Sequence, residues 1–264
     1  EEDGGSNSPG DKVSFGAGIA LSNLILSRVG DDLVIQVSGA SDQLTIRNQF
    51  YSASSTGVSS AYRIDSFAFA DGSTLTGVEM DALTLLAQQT SGNDILVAFD
   101  TADRLDGGAG NDTLQGNDSS DIYVFGRGYG QDTINETTET FGDIDDTLVF
   151  APDVAPSDLQ FLRTGDNLTI KIAGTNDQIT ILRQFASTDS TSVDGSDRVE
   201  RFVFADGTTW TATDVEARTL QSQQTSGADS VYGYDSADVL DGGAGADFLQ
   251  GNSGADAYVF GRGY

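Results

Sequence analysis

Neither cysteine nor histidine occurs among the 264 residues, and proline occurs only 3 times. Without Cys there are no disulfides and no thiolate zinc sites. Without His there is no imidazole metal site and no His-based acid–base mechanism. So little Pro excludes a proline-rich linker or a collagen-like chain. Basic residues are also scarce: 13 Lys and Arg stand against 41 Asp and Glu, a formal net charge of −28. Such a chain has little with which to displace phosphate counterions, so nucleic acid is excluded as a partner and anionic membrane surfaces are disfavoured. The longest apolar stretches, such as Ala82 to Ala87, fall far short of the ~20 residues that span a bilayer. The opening Glu1-Glu2-Asp3 has no signal-peptide pattern. Metal cations are the obvious counter-charge.

Catalytic signatures are missing as well. No Gly-x-Ser-x-Gly elbow, phosphate loop or dinucleotide fingerprint is present. Among 41 acidic residues some pair of carboxylates will be spaced for glycoside hydrolysis, but nothing singles one out. The expectation is a protein that is not an enzyme.

What the chain has in quantity is glycine, 32 residues, and repetition. Gly30-Asp31-Asp32-Leu33 returns as Gly165-Asp166-Asn167-Leu168, and Phe69-Ala70-Asp71-Gly72 as Phe204-Ala205-Asp206-Gly207. Gln88 to Gly92 returns as Gln223 to Gly227, and Tyr123 to Tyr129 as Tyr258 to Tyr264. Every offset is 135, so residues 1–129 align on 136–264 without a gap. Both ends fall inside this unit, so a longer tandem array is the expected parent.

Each unit has two halves. In the first, Leu33, Ile35 and Val37 alternate with Asp32, Val34 and Gln36, the period of a β-meander, with Gly30-Asp31 and Gly165-Asp166 at a tight hairpin turn. Phe67 and Phe69, like Phe202 and Phe204, share a strand face before an Asp-Gly turn, which needs no metal. Thr76 with Glu79 predicts a short helix through a capping box; Thr211 with Asp214 is a weaker version. Ser52 to Ser60 and Ala186 to Ser196 are aperiodic loops. Trp210 is expected in the core rather than on a sugar-binding platform. The inward position of Tyr123 and Tyr258 predicts core for both.

The second half carries the chemistry. Asp94, Asp103, Asp112 and Asp121 are spaced by nine, each followed two residues later by Leu96, Leu105, Leu114 or Tyr123. Asp229, Asp238, Asp247 and Asp256 repeat the pattern with Val231, Leu240, Leu249 and Tyr258. Nine residues suit a six-residue turn and a three-residue strand whose middle side chain points inward, so two nonapeptides make one coil. Glycines supply the positive φ of the turns. Aspartates such as Asp94 and Asp112 then stack roughly 4.8 Å apart on one edge and repel by about 3 kcal/mol at an effective dielectric of 20. A cation must sit between the turns, and carboxylate and carbonyl oxygens select Ca²⁺. Binding and folding are then one event. An acidic surface of the salt-adapted kind would not keep this phase. Asp11, Asp132 and Asp146 also precede an apolar residue by two and could extend the stack.

Gly107-Gly108-Ala109-Gly110-Asn111-Asp112-Thr113-Leu114-Gln115 and its counterpart from Gly242 through Ala244 and Gly245 to Gln250 resemble the RTX (repeats-in-toxin) calcium-binding nonapeptides. The meander halves, with Phe69-Ala70-Asp71-Gly72 and Tyr123 to Asp132, resemble the associated haemolysin-type calcium-binding-related region. The resemblance implies a parallel β-roll with several Ca²⁺ ions held between turns by aspartates and backbone carbonyls. The carried-over pairs are Asp94 with Asp112, Asp103 with Asp121, Asp229 with Asp247, and Asp238 with Asp256. Asp100, Asp118 and Asp235, at the third turn position, could add carboxylates, while Ala98 to Asp103 lacks the family's glycines. Type I secretion is implied too.

The expectation is an all-β chain of tandem 135-residue units, each a short Ca²⁺-binding parallel β-roll (β-solenoid) plus a β-meander with one short helix. Meanders would occupy residues 1–88 and 146–223, and rolls 89–145 and 224–264. The expected function is a calcium-stiffened module of a secreted or cell-surface matrix, adhesin or filament protein, with like modules as partners. Two alternatives stand beside it: a Ca²⁺-dependent module binding extracellular polysaccharide or a partner, and an accessory region of a toxin or exoenzyme.

Overall fold

The computed structural model describes residues 10–51, 63–99, 101–136, 145–186 and 198–261. Asp100 and nearly all of the two Ser-rich loops lie outside the described residues. The first half contains β1 (Lys12–Ser14), β2 (Leu24–Val29), β3 (Asp32–Val37), β4 (Gln43–Ile46), β5 (Ser66–Ala68), β6 (Thr74–Thr76) and α1 (Gly77–Leu86). Short strands follow: β7 (Ile95–Val97), β8 (Arg104–Asp106), β9 (Thr113–Gln115), β10 (Ile122–Phe125) and β11 (Gln131–Ile134). The meander pattern then returns as β12 (Thr147–Phe150), β13 (Leu159–Thr164), β14 (Asn167–Ile172), β15 (Gln178–Ile181), β16 (Arg201–Val203), β17 (Thr209–Thr211) and α2 (Ala212–Ser222). Last come β18 (Ser230–Tyr232), β19 (Val239–Asp241), β20 (Phe248–Gln250) and β21 (Ala257–Val259). Among the described residues the architecture is mostly β, with two α-helices and no closed barrel.

Local chemistry sets the turns and helix starts. The β2–β3 hairpin turns through Gly30 at φ +61°, and β13–β14 through Gly165 at φ +60°; glycine at the first central position is the II′ solution that matches strand twist. The Thr76 hydroxyl accepts the Glu79 N–H (3.2 Å), and Glu79 accepts the Thr76 N–H (2.7 Å). Thr211 and Asp214 make the same reciprocal pair at 3.2 and 2.9 Å, so the shorter carboxylate caps as completely as the longer one.

The nonapeptide strands form the expected two-faced coil. β7 and β9 pair in parallel with Leu96 opposite Leu114; β8 and β10 pair on the other face with Leu105 opposite Tyr123. All four side chains are buried. This core is thin. One inward side chain per nonapeptide contributes about 2 kcal/mol, and each ladder hydrogen bond about 1 kcal/mol. Fixing nine backbones costs on the order of 9 kcal/mol or more. The coil needs something beyond its own core.

Part of that support comes from the next meander, whose strands extend the same sheets. β11 pairs in parallel with both β9 and β15, and β14 and β13 continue antiparallel to give a six-stranded sheet in the order β13-β14-β15-β11-β9-β7. Opposite it runs a five-stranded sheet, β17-β16-β12-β10-β8, in which β12 pairs in parallel with β10 and β16. Ile134, Leu148, Ile181 and Phe202 carry the core onward from Leu114 and Tyr123. The boundary at 145/146 is therefore a change of sequence pattern and not a break in hydrogen bonding.

Stacks begin and end at the helices. α2 packs on β13 and β17, and the strands after it form separate pairs, β18–β20 and β19–β21. Trp210 lies in the core against Phe204 and Phe161, with the Arg218 guanidinium 3.9 Å from its ring centroid. Arg163 staples meander to roll: it donates to the Tyr232 and Gly233 carbonyls (3.2 Å each) and lies over Tyr234 and Phe185. Arg28 does the same upstream, donating to Val97 and Ala98 across Phe50 and Phe99. One expectation fails here. Tyr258 is 57% exposed while Tyr123 is fully buried, because β12 covers the edge of β10 and no described strand covers that of β21.

Candidate metal centre

Every nonapeptide aspartate lies at a strand entrance, on one of two edges of the coil. On the first edge the Asp94 N–H donates to Asp112 Oδ1 (2.9 Å), and the Asp112 N–H to Asp132 Oδ1 (3.0 Å). On the second, Asp103 N–H donates to Asp121 Oδ1 (2.7 Å), Asp121 N–H to Asp146 Oδ1 (2.7 Å), and Asp146 N–H to Glu200 Oε2 (2.8 Å). The later roll repeats the motif: Asp229 donates to Asp247 (2.9 Å) and Asp238 to Asp256 (3.1 Å). The four pairs expected from the sequence are thus each brought together, one layer apart. Asp132 and Asp146, read from sequence as extensions, continue both ladders into the meander.

The other carboxylate oxygen of each residue explains the glycines. A Cβ on Gly107 would collide with Asp112 Oδ2, and one on Gly242 with Asp247 Oδ2. Gly116 and Gly251 stand in the same relation to Asp121 and Asp256, as does Gly233 to Asp238 at 2.6 Å. None of these five has a positive φ, so glycine is required there for room rather than for turn geometry. Gly110 and Gly245 do adopt positive φ (+152° and +148°), where a Cβ would also strike the carbonyls of Gly92 and Gly227 one layer back. Ala109 and Ala244 are exposed in the intervening turns; Asp118 is half-buried and Asp235 exposed in theirs. In the turn with Ala98 in place of glycine, Asp103 Oδ2 instead accepts the Phe99 N–H (3.0 Å).

Burial makes these carboxylates costly. Asp112, Asp121 and Asp132 are at most 2% exposed, and the Oδ2 atom of each is buried without a hydrogen-bond partner. Desolvation, with the charges of Asp146, Asp103 and Glu136 added, pushes Asp121 up to about 10. Asp132 rises to about 7, mainly by desolvation and then through Asp112 and Asp177. Glu200 rises to about 8, mainly by desolvation and then through Asp146. Asp103, Asp112 and Asp238 also lie above the ordinary carboxylate range, again chiefly through desolvation.

A hard divalent cation fits this donor set. The orphaned oxygens are carboxylate, a hard donor, and the sequence holds neither Cys nor His to compete. Among the described residues no three acidic side chains converge closely enough to hold a metal unaided. A cation held between two carboxylates one layer apart would need further oxygens, such as backbone carbonyls, to complete its shell. Glu200 was missed in the sequence because it is Glu rather than Asp and lies in a meander; its signal was Phe202 two residues on, the same offset as in every nonapeptide.

Comparison with known proteins agrees with this geometry. Residues 32–78 and 167–214 match the haemolysin-type calcium binding protein related domain. Residues 90–122, 97–132 and 225–264 match the RTX calcium-binding nonapeptide repeat. The iron-regulated protein FrpA of Neisseria meningitidis serogroup C is 35% identical over 121 residues, which cover 46% of this chain and 10% of that relative.

Proposed function

The chain belongs to the RTX haemolysin-type calcium-binding repeat proteins, and on that premise we propose that it is a non-enzymatic, calcium-stiffened structural module of a larger secreted or cell-surface protein of matrix, adhesin or filament type. Support comes from the aspartate ladders. Buried oxygens at Asp112, Asp121 and Asp132 lack a hydrogen-bond partner, a state that is unfavourable when ionised and favourable when a cation is bound. The 135-residue tandem period supplies the structural role, since repetition of one unit builds length rather than a single active site. Two carboxylates with carbonyls match the affinity class of extracellular modules, roughly 10⁻⁴ to 10⁻³ M per site. Such sites stay empty in a cytosol and fill outside, which suits a chain that folds after type I export. Trp210 is only 9% exposed, as expected of a core residue, so a polysaccharide-binding reading would have to rest on other parts of the meanders.

Far-ultraviolet circular dichroism and thermal melting in millimolar Ca²⁺ against excess EGTA test the proposal. The expected result is loss of β-signal, or a large fall in melting temperature, on chelation. An unchanged spectrum and melting temperature would sink it.

A further inference from the structure

We propose that Arg63 and Arg198 are built-in cations: each sits at the junction between two acidic ladders and takes there the place that an ion takes within them. The proposal rests on the calcium reading above, which supplies the ions of the interior rungs.

The second-edge ladders end and begin beside the helices. Gly10 and Asp11 N–H both donate to Asp65 Oδ2 (2.9 and 3.1 Å), as Asp146 N–H does to Glu200, so Asp65 and Glu200 are last rungs. Asp103 and Asp238 are first rungs. Their N–H groups donate onward to Asp121 and Asp256, and their Oδ2 atoms accept the Phe99 and Tyr234 N–H (3.0 and 2.6 Å). Beside them stands a helix acid, Asp81 on α1 or Glu216 on α2, only 2% and 8% exposed. Arg63 pairs with Asp81; Arg198 lies 3.7 Å from Glu200 and 3.6 Å from Glu216. Arg28 and Arg163 act on the first rungs from the meander side. Each junction thus sets two guanidiniums among three acids, residue for residue at the 135 offset.

Charge separates these junctions from the interior. Asp121 and Asp132 have acids as their leading charged neighbours, so neutralising them takes an added ion. Asp103 is raised chiefly by desolvation, and Arg28 and Arg63 oppose that rise. Asp238 and Glu216 are raised for the same reason, opposed by Arg163 and Arg198 respectively. A difference between the two units shows what is kept. A Cβ on Gly77 would lie 3.0 Å from Arg63 Nε and 2.8 Å from the Ile64 carbonyl, so glycine makes room for the guanidinium to reach the short Asp81. The second unit has Ala212 in that position and the longer Glu216. Its side chain reaches an arginine that stands farther out, 37% exposed against 12% for Arg63. Two local solutions preserve one pair. A guanidinium is always charged and cannot be chelated away, so the first rung has its counter-charge before any ion arrives. The second edge of each roll then starts stacking at its helix end.

Melting temperatures of the full chain over a series of Ca²⁺ concentrations, from excess EGTA to saturation, test this. Arg63→Gln and Arg198→Gln each remove one guanidinium, while Arg63→Lys and Arg198→Lys keep the charge. Arg47→Gln removes an exposed arginine and changes the net charge equally. Each junction Gln variant should melt roughly 5 °C or more below wild type at low Ca²⁺. That deficit should close towards saturation, as an ion enters the vacated place. The Lys variants should lose clearly less, and Arg47→Gln should show no deficit that depends on Ca²⁺. A deficit equal at low and saturating Ca²⁺, as for an arginine that only packs, overturns the proposal. So does a Lys variant as impaired as its Gln counterpart, or an Arg47→Gln that behaves as the junction variants do. Because Arg198 is partly exposed, its variants decide the matter if Arg63→Gln does not fold. A wild-type melting temperature that ignores Ca²⁺ refutes the calcium reading itself, a result distinct from a rising wild-type curve with a constant deficit.

Discussion

Replacing Asp121 by Asn should make the calcium-free protein more stable and the calcium-bound protein less so. The Asp121 carboxyl is fully buried, one oxygen accepts the Asp103 N–H at 2.7 Å, and the other lacks a hydrogen-bond partner. Its folded pKa is pushed up to about 10, against about 3.9 in the unfolded chain. For an acid raised in this way the folded state holds the proton more tightly. Stability is complete below the unfolded value and falls as pH rises from about 4 towards the folded value. At pH 7 the deficit spans about three units, or roughly 4 kcal/mol at 1.36 kcal/mol each. Asn keeps the acceptor for Asp103 and carries no charge, so it should recover most of this in EGTA. In practice, the loss of β-signal in a pH titration with EGTA should move to higher pH in Asp121→Asn. At pH 4, where both side chains are neutral, the two proteins should be alike. In Ca²⁺ the order should reverse, because an amide oxygen is a weaker ligand than a carboxylate. The reasoning is refuted if Asp121→Asn is no more stable than wild type in EGTA at pH 7 to 8. It is also refuted if any gain is as large at pH 4.

Gly116→Ala puts a methyl group into the space held by Asp121 Oδ2, so calcium affinity measured by titration calorimetry should fall about tenfold or more, the ~1.4 kcal/mol of a displaced ligand. Gly92→Ala, whose added carbon would meet only Thr90 Oγ1 at 3.6 Å, should stay within about 0.5 kcal/mol of wild type in urea unfolding. Arg163→Leu deletes two hydrogen bonds to Tyr232 and Gly233 and a stack over Tyr234. It should cost about 2 kcal/mol, and amide hydrogen exchange should show the loss in residues 225–261 rather than in the upstream roll.

Much of this was legible because the sequence repeats its rules. A nine-residue phase fixes which side chains point inward, and Leu96, Leu105, Leu114 and Tyr123 are all buried as that phase requires. The Thr76 capping box could be read from two residues. Harder to see was which strands pair across the patterns. Nothing in β15 alone says that it adds to β11, because parallel pairing over such a separation is set by stacking geometry and not by local propensity. The glycines were half understood. Positive φ accounts for Gly110 and Gly245, but the constraint on Gly107, Gly116 and Gly251 is a carboxylate from the following strand, which no turn rule contains. Glu200 lay hidden for a related reason: the ladder selects an oxygen at a position, and it accepts a longer side chain when the backbone there leaves room.

The displacement between sequence unit and folded stack bears on how calcium could act. If each meander closed on itself, ions in the roll would order the roll alone. Instead β11 and β12 join the roll to strands that begin the following unit, and the second acidic ladder runs on through Asp146 to Glu200. An ion seated at Asp121 would therefore fix the entrance of β12, and through β16 the sheet on which α2 rests. Arg163 then carries the order across α2 to Tyr232 and Gly233, where the next ladder starts at Asp229. Each boundary is crossed either by shared sheet or by an arginine staple. In a solenoid, stability is a sum of intrinsic unit terms and neighbour terms. With a core too thin to hold one coil alone, the neighbour terms decide whether anything folds, and here they pass through the same carboxylates that the ion would neutralise. In the proposed module, sites that are individually weak would still add stiffness along its length.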